Sequence, residues 1–387
     1  MNPVSETGCV VCGGLDFEMI PAPWSHSMTT AGRLVHEPLS KAHCRGCGLL
    51  QRVGMRHLAR TDFYERQYSF YERPGAANYD RPRYAAMARW ITDAIGGQEP
   101  VSVLDAGCGR GWMMAAMRKH LPGARFDGIE PSEQESENAR RAGFPVITAK
   151  VDERLSLLGS YDLVYSTNVL EHTANPREFL QVLAGSLSDG GVLVIVCPDA
   201  AVPNAEFMFS DQNYSFTPEH LAALGRQAGL VPRRWQAAPA VDSIRDKQLM
   251  VFSRPSASGG EPDPPRVDPA ALYSLRCRYV ASYSECSDYL VRSSEGFARV
   301  LNFGTSTWSM LLAAYCPDYW ARVAACVIDG GAGEFQGRPV VDFASLAEAD
   351  ERLLLVLGVN PYSQDAFARR LTASGRSCVK WNHLICR

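Results

Sequence analysis

Residues able to do chemistry fall into three groups. Four cysteines form two pairs, Cys9 with Cys12 in CVVCGG and Cys44 with Cys47 in CRGCGL, separated by 31 residues. An acidic turn, Asp105 with Gly107, Gly109 and Gly111 in VLDAGCGRG, is followed 19 residues later by Glu130 in GIEPS. A third group, Asn168, Glu171 and His172, lies in STNVLEH and is followed by the polar stretch Ser210 to Asn213.

The two-residue gap inside each cysteine pair lets both thiolates point into one turn, and the glycine after each second cysteine lets the backbone wrap a metal. Two such knuckles offer four soft ligands, which suit tetrahedral zinc better than four reduced cysteines that merely share this spacing. A four-thiolate site has no open position, so its expected role is structural. His26, His36, His43 and His57 lie nearby as surface or packing residues, with His43 the reserve ligand.

Dinucleotide turns read GxGxxG and rest a pyrophosphate on a helix N-terminus. Here an acid leads the glycines, and a carboxylate repels pyrophosphate while attracting the cationic methionyl end of S-adenosylmethionine. Glu130 ends the next strand, where a carboxylate accepts from ribose hydroxyls.

Elements must hold these groups in place. VSVLDAG, RFDGIEP, YDLVYSTNVL and GGVLVIVCP read as buried strands, with helices from WMMAAMRKHL, SEQESENARRAG and NPREFLQVLAGSL between them. That alternation implies a parallel α/β sheet. The Pro-, Gly- and Ser-rich stretch from Ser253 to Pro269 reads as a linker, and strand–helix alternation resumes after it. A length of 387 residues suits two domains with a small appendage. A net charge of -3 and a pI near 6.3 give no reason to expect nucleic acid or an anionic membrane. The apolar runs are strand-length, and the N-terminus lacks a secretion signal, so the expected location is the cytoplasm.

VLDAGCGRG, GIEPS and YDLVYSTNVLEH followed by GGVLVIVCP resemble the successive motifs of class I S-adenosylmethionine-dependent methyltransferases. The resemblance implies a seven-stranded Rossmann-like sheet ending in an antiparallel hairpin. It also implies a cofactor site of Asp105, Gly107, Cys108, Gly109, Gly111, Glu130, Pro131 and Asn168. Asp152 falls where such enzymes place a residue near the adenine, or else caps a helix. The whole layout resembles the zinc-containing deoxysugar C-methyltransferases. It predicts a zinc-binding element over residues 1–60 and a methyltransferase domain over 61–253, with a helical lid or lead-in at 61–98. A linker over 254–270 and a second Rossmann-like domain over 271–387 complete it. The resemblance implies a small-molecule acceptor, a sugar or nucleotide-linked sugar. Oligomeric state stays open.

His172 is the first candidate for general base, against an equal reading in which it serves packing or water structure. The sugar C-methyltransferases carry a tyrosine, a glutamate and a histidine where aligning YSFTPEHL places Ser210, Gln212 and Asn213. Asn213 cannot accept a proton and is expected to position substrate. Loss of those groups sets O- or N-methylation, or a non-catalytic cofactor-binding module, beside C-methylation. Tyr64, Tyr68, Tyr71 and Tyr79, with Arg66, Arg73 or Arg81, form either a lid over the acceptor or a helix packing its aromatics on the core; Tyr68 or Tyr71 would be the catalytic phenol. His220 reads as solvated or packing. Past the linker, NFGTSTW and Asp329 leave scaffold and acceptor-nucleotide holder both open.

Overall fold

The computed structural model describes residues 8–54, 76–152, 155, 159–202, 204–255, 264–346 and 352–385. Its central sheet has seven strands, in the order Val231–Ala237, Lys247–Ser253, Leu187–Pro198, Tyr161–Thr167, Ser102–Ala106, Arg125–Glu130 and Val146–Thr148. Lys247–Ser253 runs antiparallel to both its neighbours. The other pairings are parallel, so this is a Rossmann-like sheet with an antiparallel hairpin at one edge.

Local chemistry accounts for the helices on its faces. Ser132 caps Glu133–Arg141 by accepting from Glu135 N, and Asn175 caps Pro176–Gly185 with Pro176 at the first helical position. Thr217 and His220 close a capping box at the start of Pro218–Gln227. The helix expected over WMMAAMRKHL is shorter, Trp112–Met117, with the chain turning before Pro122.

A second sheet follows, in the order Glu334–Phe335, Arg338–Asp342, Val323–Ile328, Arg299–Phe303, Leu353–Leu357 and Ser377–Val379, all parallel except the first pair. The helix Pro269–Ser293 precedes it, capped by Asp268.

The N-terminal element does not stand apart. Its strands Phe17–Met19, Lys41–Cys44 and Leu50–Arg52 complete a four-stranded sheet with Tyr214–Ser215. Ile20, Met28, Leu39 and Leu50 share one apolar cluster with Phe207, Phe209, Tyr283 and Tyr315. The element thus borrows its core from two distant parts of the chain. Among the described residues no helix is long and apolar enough to cross a membrane.

Gly225 gives this packing a test. It sits mid-helix, where alanine ordinarily favours a helix by about 1 kcal/mol, but an added Cβ would overlap the Phe252 ring. Overpacking should prevail. Gly225→Ala is expected to destabilise the chain by roughly 1–3 kcal/mol, read by urea unfolding.

Candidate active site and metal centre

Parallel register places the first acid. Asp105 lies directly opposite Tyr165, and the Tyr165 hydroxyl donates to Asp105 Oδ2 at 2.9 Å. Asp105 is fully buried, and its Oδ1 has no hydrogen-bond partner among the described residues. Burial raises its carboxyl to about 8 against the Tyr165 hydrogen bond, which lowers it. Asn168 holds a left-handed backbone (φ 54°) just beyond the neighbouring strand, and its Oδ1 is likewise without a partner.

Glu130 ends the next strand and accepts from Gly109 N and Ser132 N, each at 2.9 Å. Burial raises it to about 7, opposed by those two backbone donors. The three glycines do different work. A Cβ on Gly109 (φ 49°) would enter open space, whereas one on Gly107 would overlap Val169, and one on Gly111 would meet Phe144 at 3.1 Å. Only Gly109 keeps room for a ligand; the other two allow close packing.

Cys108 is a correction. Its thiol turns inward, 2.7 Å from where a Gly128 Cβ would sit, and its N–H goes to Ile129 O at 3.1 Å. Neither group is left for a cofactor. Pro131 is half-buried beside Glu130. Asp152 accepts from Leu155 N at 2.9 Å through its carbonyl, as a turn-capping residue does.

These groups fit S-adenosylmethionine. An orphaned buried carboxylate oxygen suits its α-ammonium, the second lone pairs of Glu130 suit ribose hydroxyls, and the space above Gly109 admits the ligand. Arg110, half-buried, braces this turn by pairing with the buried Glu135 at 2.9 Å.

His172 ends the turn Leu170–His172. Its Nδ1–H donates to the Asp211 carbonyl at 2.9 Å, which leaves Nε2 as the lone-pair nitrogen, 3.4 Å from Gln212 Nε2. Gln212 Nε2 also donates to Glu206 Oε2. Glu206 Oε1 lies 3.5 Å from the Lys247 ammonium. Desolvation alone would lower Lys247, but Asp246 and Glu206 raise it, so it stays charged. Glu171 is buried with both carboxylate oxygens unpartnered among the described residues, and burial pushes its pKa up.

Asn213 is also corrected. Its amide donates to His172 O at 2.7 Å and Thr173 O at 3.1 Å, so it clamps the turn that carries His172 and has no hydrogen left for substrate. Ser210 Oγ donates to Met28 O. Tyr64, Tyr68, Tyr71, Arg66, Arg73 and His57 lie outside the described residues, as does the side chain of Tyr79; Arg81 is exposed on the helix Ala76–Ala94. Sequence reading missed Tyr165, Glu206 and Lys247. Only Tyr165 had a signal, its place on a strand beside the acid-bearing one.

The four thiolates of Cys9, Cys12, Cys44 and Cys47 lie within 4.8 Å of one another. Gly13 (φ 74°) and Gly48 (φ 80°) make the turns. This donor set fits zinc, which takes four thiolates at about 2.3 Å. A cation stands behind it: Arg276, fully buried, donates through Nη1 to Gly48 O at 2.6 Å and His43 Nδ1 at 2.8 Å. His43 therefore faces Arg276 and not the thiolates, which removes it as reserve ligand. His26 bonds Ala314 O and His36 is exposed. His220 is buried; its Nδ1 accepts from Thr217 N and its Nε2–H donates to Cys47 O at 2.8 Å.

In the second sheet, the crevice between Arg299–Phe303 and Leu353–Leu357 is filled. Ser306 and Ser309 donate to Gly358 O, and Asn302 donates to Gly304 O. Asp329 is exposed, and the turn after it is held by Gly330 N on Asp342.

Two predictions follow from the buried groups. Because the folded, ligand-free chain holds the Asp105 proton up to about 8, against ~3.9 unfolded, its contribution to stability is full below about pH 4 and is lost as pH rises through about 8. An ammonium at Oδ1 reverses that preference. Binding of S-adenosylhomocysteine at pH 7 should release protons, read as buffer-dependent heat in calorimetry; Asp105→Asn should remove most of that dependence and weaken binding roughly tenfold or more. Elemental analysis should find one zinc per chain, with Cys44→Ser lowering both zinc content and Tm.

Residues 79–234 match a family model described as a methyltransferase domain. A ubiquinone biosynthesis O-methyltransferase of Bordetella avium (strain 197N) is 28% identical over 165 residues, covering 37% of this chain and 67% of the relative. A trans-aconitate 2-methyltransferase of Rhodopseudomonas palustris (strain BisA53) is 30% identical over 122 residues, covering 31% of this chain and 45% of the relative. Among solved structures, the plantazolicin methyltransferase BpumL in complex with SAH is 20% identical with a TM-score of 0.37, covering 46% of this chain and 89% of that one. Matched segments therefore span from under half to about two thirds of these curated relatives. The match identifies residues 79–234 as a methyltransferase domain, consistent with an S-adenosylmethionine-dependent enzyme.

Proposed function

We propose that the chain methylates a small polyhydroxylated acceptor, a sugar or nucleotide-linked sugar, at a hydroxyl oxygen. The observation that carries this reading is the run of hydrogen-bonding side chains beyond the strand ends: His172, Gln212, Glu206 and Lys247 in one connected series. Such a wall matches hydroxyl groups better than it matches a flat apolar ring.

S-adenosylmethionine, when bound, supplies an electrophilic methyl on a sulfonium. The residues would hold it with Asp105 on the ammonium and Glu130 on the ribose, above Gly109. His172 is the group placed to take the acceptor's proton, since its Nδ1–H is committed to Asp211 O and Nε2 keeps the lone pair. Glu206 orients the acceptor beside it, and Gln212, whose amide faces both Glu206 and His172, keeps those two groups in place. His172 Nε2 would hold the proton given up by the acceptor hydroxyl, while the bound sulfonium would supply the methyl and leave as the neutral thioether.

Methylation at carbon is the second reading, favoured by one observation. The Lys247 ammonium, kept charged beside Glu206, is the kind of group that steadies an enolate oxygen.

Mass spectrometry of products formed from nucleotide-sugar pools with labelled cofactor decides the matter. A methyl on oxygen supports the first reading and a methyl on carbon the second; no labelled sugar at all rejects both. On the substrate so found, His172→Ala should lower kcat by roughly a hundredfold or more, and unchanged turnover would remove His172 as base.

A further inference from the structure

Six consecutive residues, Ser210 to Ser215, which carry Gln212 of the acceptor wall, are bonded one after another to the N-terminal element. Ser210 N donates to Met28 O at 2.8 Å. The Asp211 carboxylate accepts from Thr30 N at 2.8 Å and from Thr30 Oγ1 at 2.5 Å. Gln212 O accepts from the Lys41 ammonium at 2.5 Å, and Asn213 O from Arg52 N at 2.8 Å. Tyr214 and Ser215 then pair in antiparallel register with Gln51 and Leu50.

The same short segment holds His172 on its other side. Asp211 O receives the imidazole Nδ1–H, Gln212 Nε2 faces Nε2, Asn213 N donates to Glu171 O, and the Asn213 amide secures His172 O and Thr173 O. The segment is therefore a plate between the four-cysteine element and the imidazole.

Lys41 is a charged side chain of that element whose head group bonds the plate. It is fully buried, and a buried ammonium is strongly disfavoured unless its surroundings pay it back in hydrogen bonds and opposite charge. Desolvation and the nearby Arg52 pull Lys41 down to about 7 against the attraction of Asp211 and Glu206, and Gln212 O accepts its hydrogen bond. Its place is set by the knuckles. Lys41 opens the strand Lys41–Cys44, which ends on one thiolate, and the strand Leu50–Arg52 begins just after Cys47. The groups expected to bind cofactor have other supports: Asp105 rests on Tyr165, and Glu130 on Gly109 and Ser132.

We propose that the four-cysteine element is the template of the acceptor wall and that Lys41 is its positioning residue, so that acceptor recognition depends on this element and cofactor binding does not. The proposal rests on the reading that the acceptor is received beside His172. It assigns the element a part in specificity beyond holding the fold together.

The test uses the full, zinc-loaded chain with Lys41→Met and Lys41→Arg. Hydrogen exchange at residues 210–215 should speed up roughly tenfold or more in Lys41→Met, with exchange at 105–111 unchanged. Affinity for S-adenosylhomocysteine should stay within about twofold of the parent, and zinc content should stay at one per chain. Lys41→Arg, which keeps a long donor side chain able to reach Gln212 O, should recover much of the protection. On the acceptor identified by mass spectrometry, Lys41→Met should raise KM more than it lowers kcat. Unchanged exchange at 210–215, or weaker S-adenosylhomocysteine binding in step with faster exchange, overturns the proposal. Should Lys41→Met fail to fold, Thr30→Val removes only the hydroxyl bond to Asp211, and protected amides at 210–215 in that variant overturn it equally. Faster exchange as expected, with no sugar methylated, would sink the acceptor reading and leave the template standing.

Discussion

The alignment of two parallel strands governs where everything reactive in this chain is gathered. With Val103 set against Leu163, Asp105 must lie against Tyr165, and both strands must end on the same edge. From that edge the first strand runs into the glycine turn and the second into the turn bearing Asn168, Glu171 and His172. A slip of one residue would reverse every side chain and bury the acid on the wrong face. The remaining parts, including the packing of Gly107 on Val169, presuppose this register.

Such an edge is costly to build, because it buries charge. Asp105, Glu171, Lys41, Lys247 and Arg276 all lie inside, and all but Glu171, whose burial instead raises its pKa, have specific neighbours to offset the cost. The neighbours differ in kind. Lys247 has carboxylates, Arg276 has carbonyl and imidazole acceptors, and Asp105 has a single phenol. Asp105 is left with an unsatisfied oxygen where a cation would be most welcome, which is how a fold reserves space for one ligand over another.

Much of this was legible in the sequence, for a physical reason. The glycine turn, Glu130 and the cysteine pairs are local patterns whose geometry depends on a few adjacent residues; the alternation of strands and helices implied a parallel sheet, and the seven strands with their antiparallel hairpin came from the family resemblance. What escaped was non-local. Cys108 points inward over Gly128 on the next strand, whose missing side chain leaves room for its sulfur. Glu206 reads as a first-turn acid beside the cap Asn204, and nothing near it reveals Gln212 or Lys247 as partners. Arg276 looks like any charge on a long helix until the helix is laid against Gly48 and His43. His220 closes a capping box from a position where glutamate or glutamine is the usual sign.

The sharing of one apolar cluster by Ile20, Met28 and Leu50 with Tyr283 and Tyr315 has a consequence for synthesis on the ribosome. The first cysteines emerge long before the helix that carries Arg276, and at roughly 5–20 residues per second the wait is on the order of ten seconds or more. Throughout it the N-terminal segment has neither its apolar cover nor its buried cation. Its thiolates meet the cell's metal and oxidant first, so metal capture early in translation would guard these cysteines until the rest of the chain arrives.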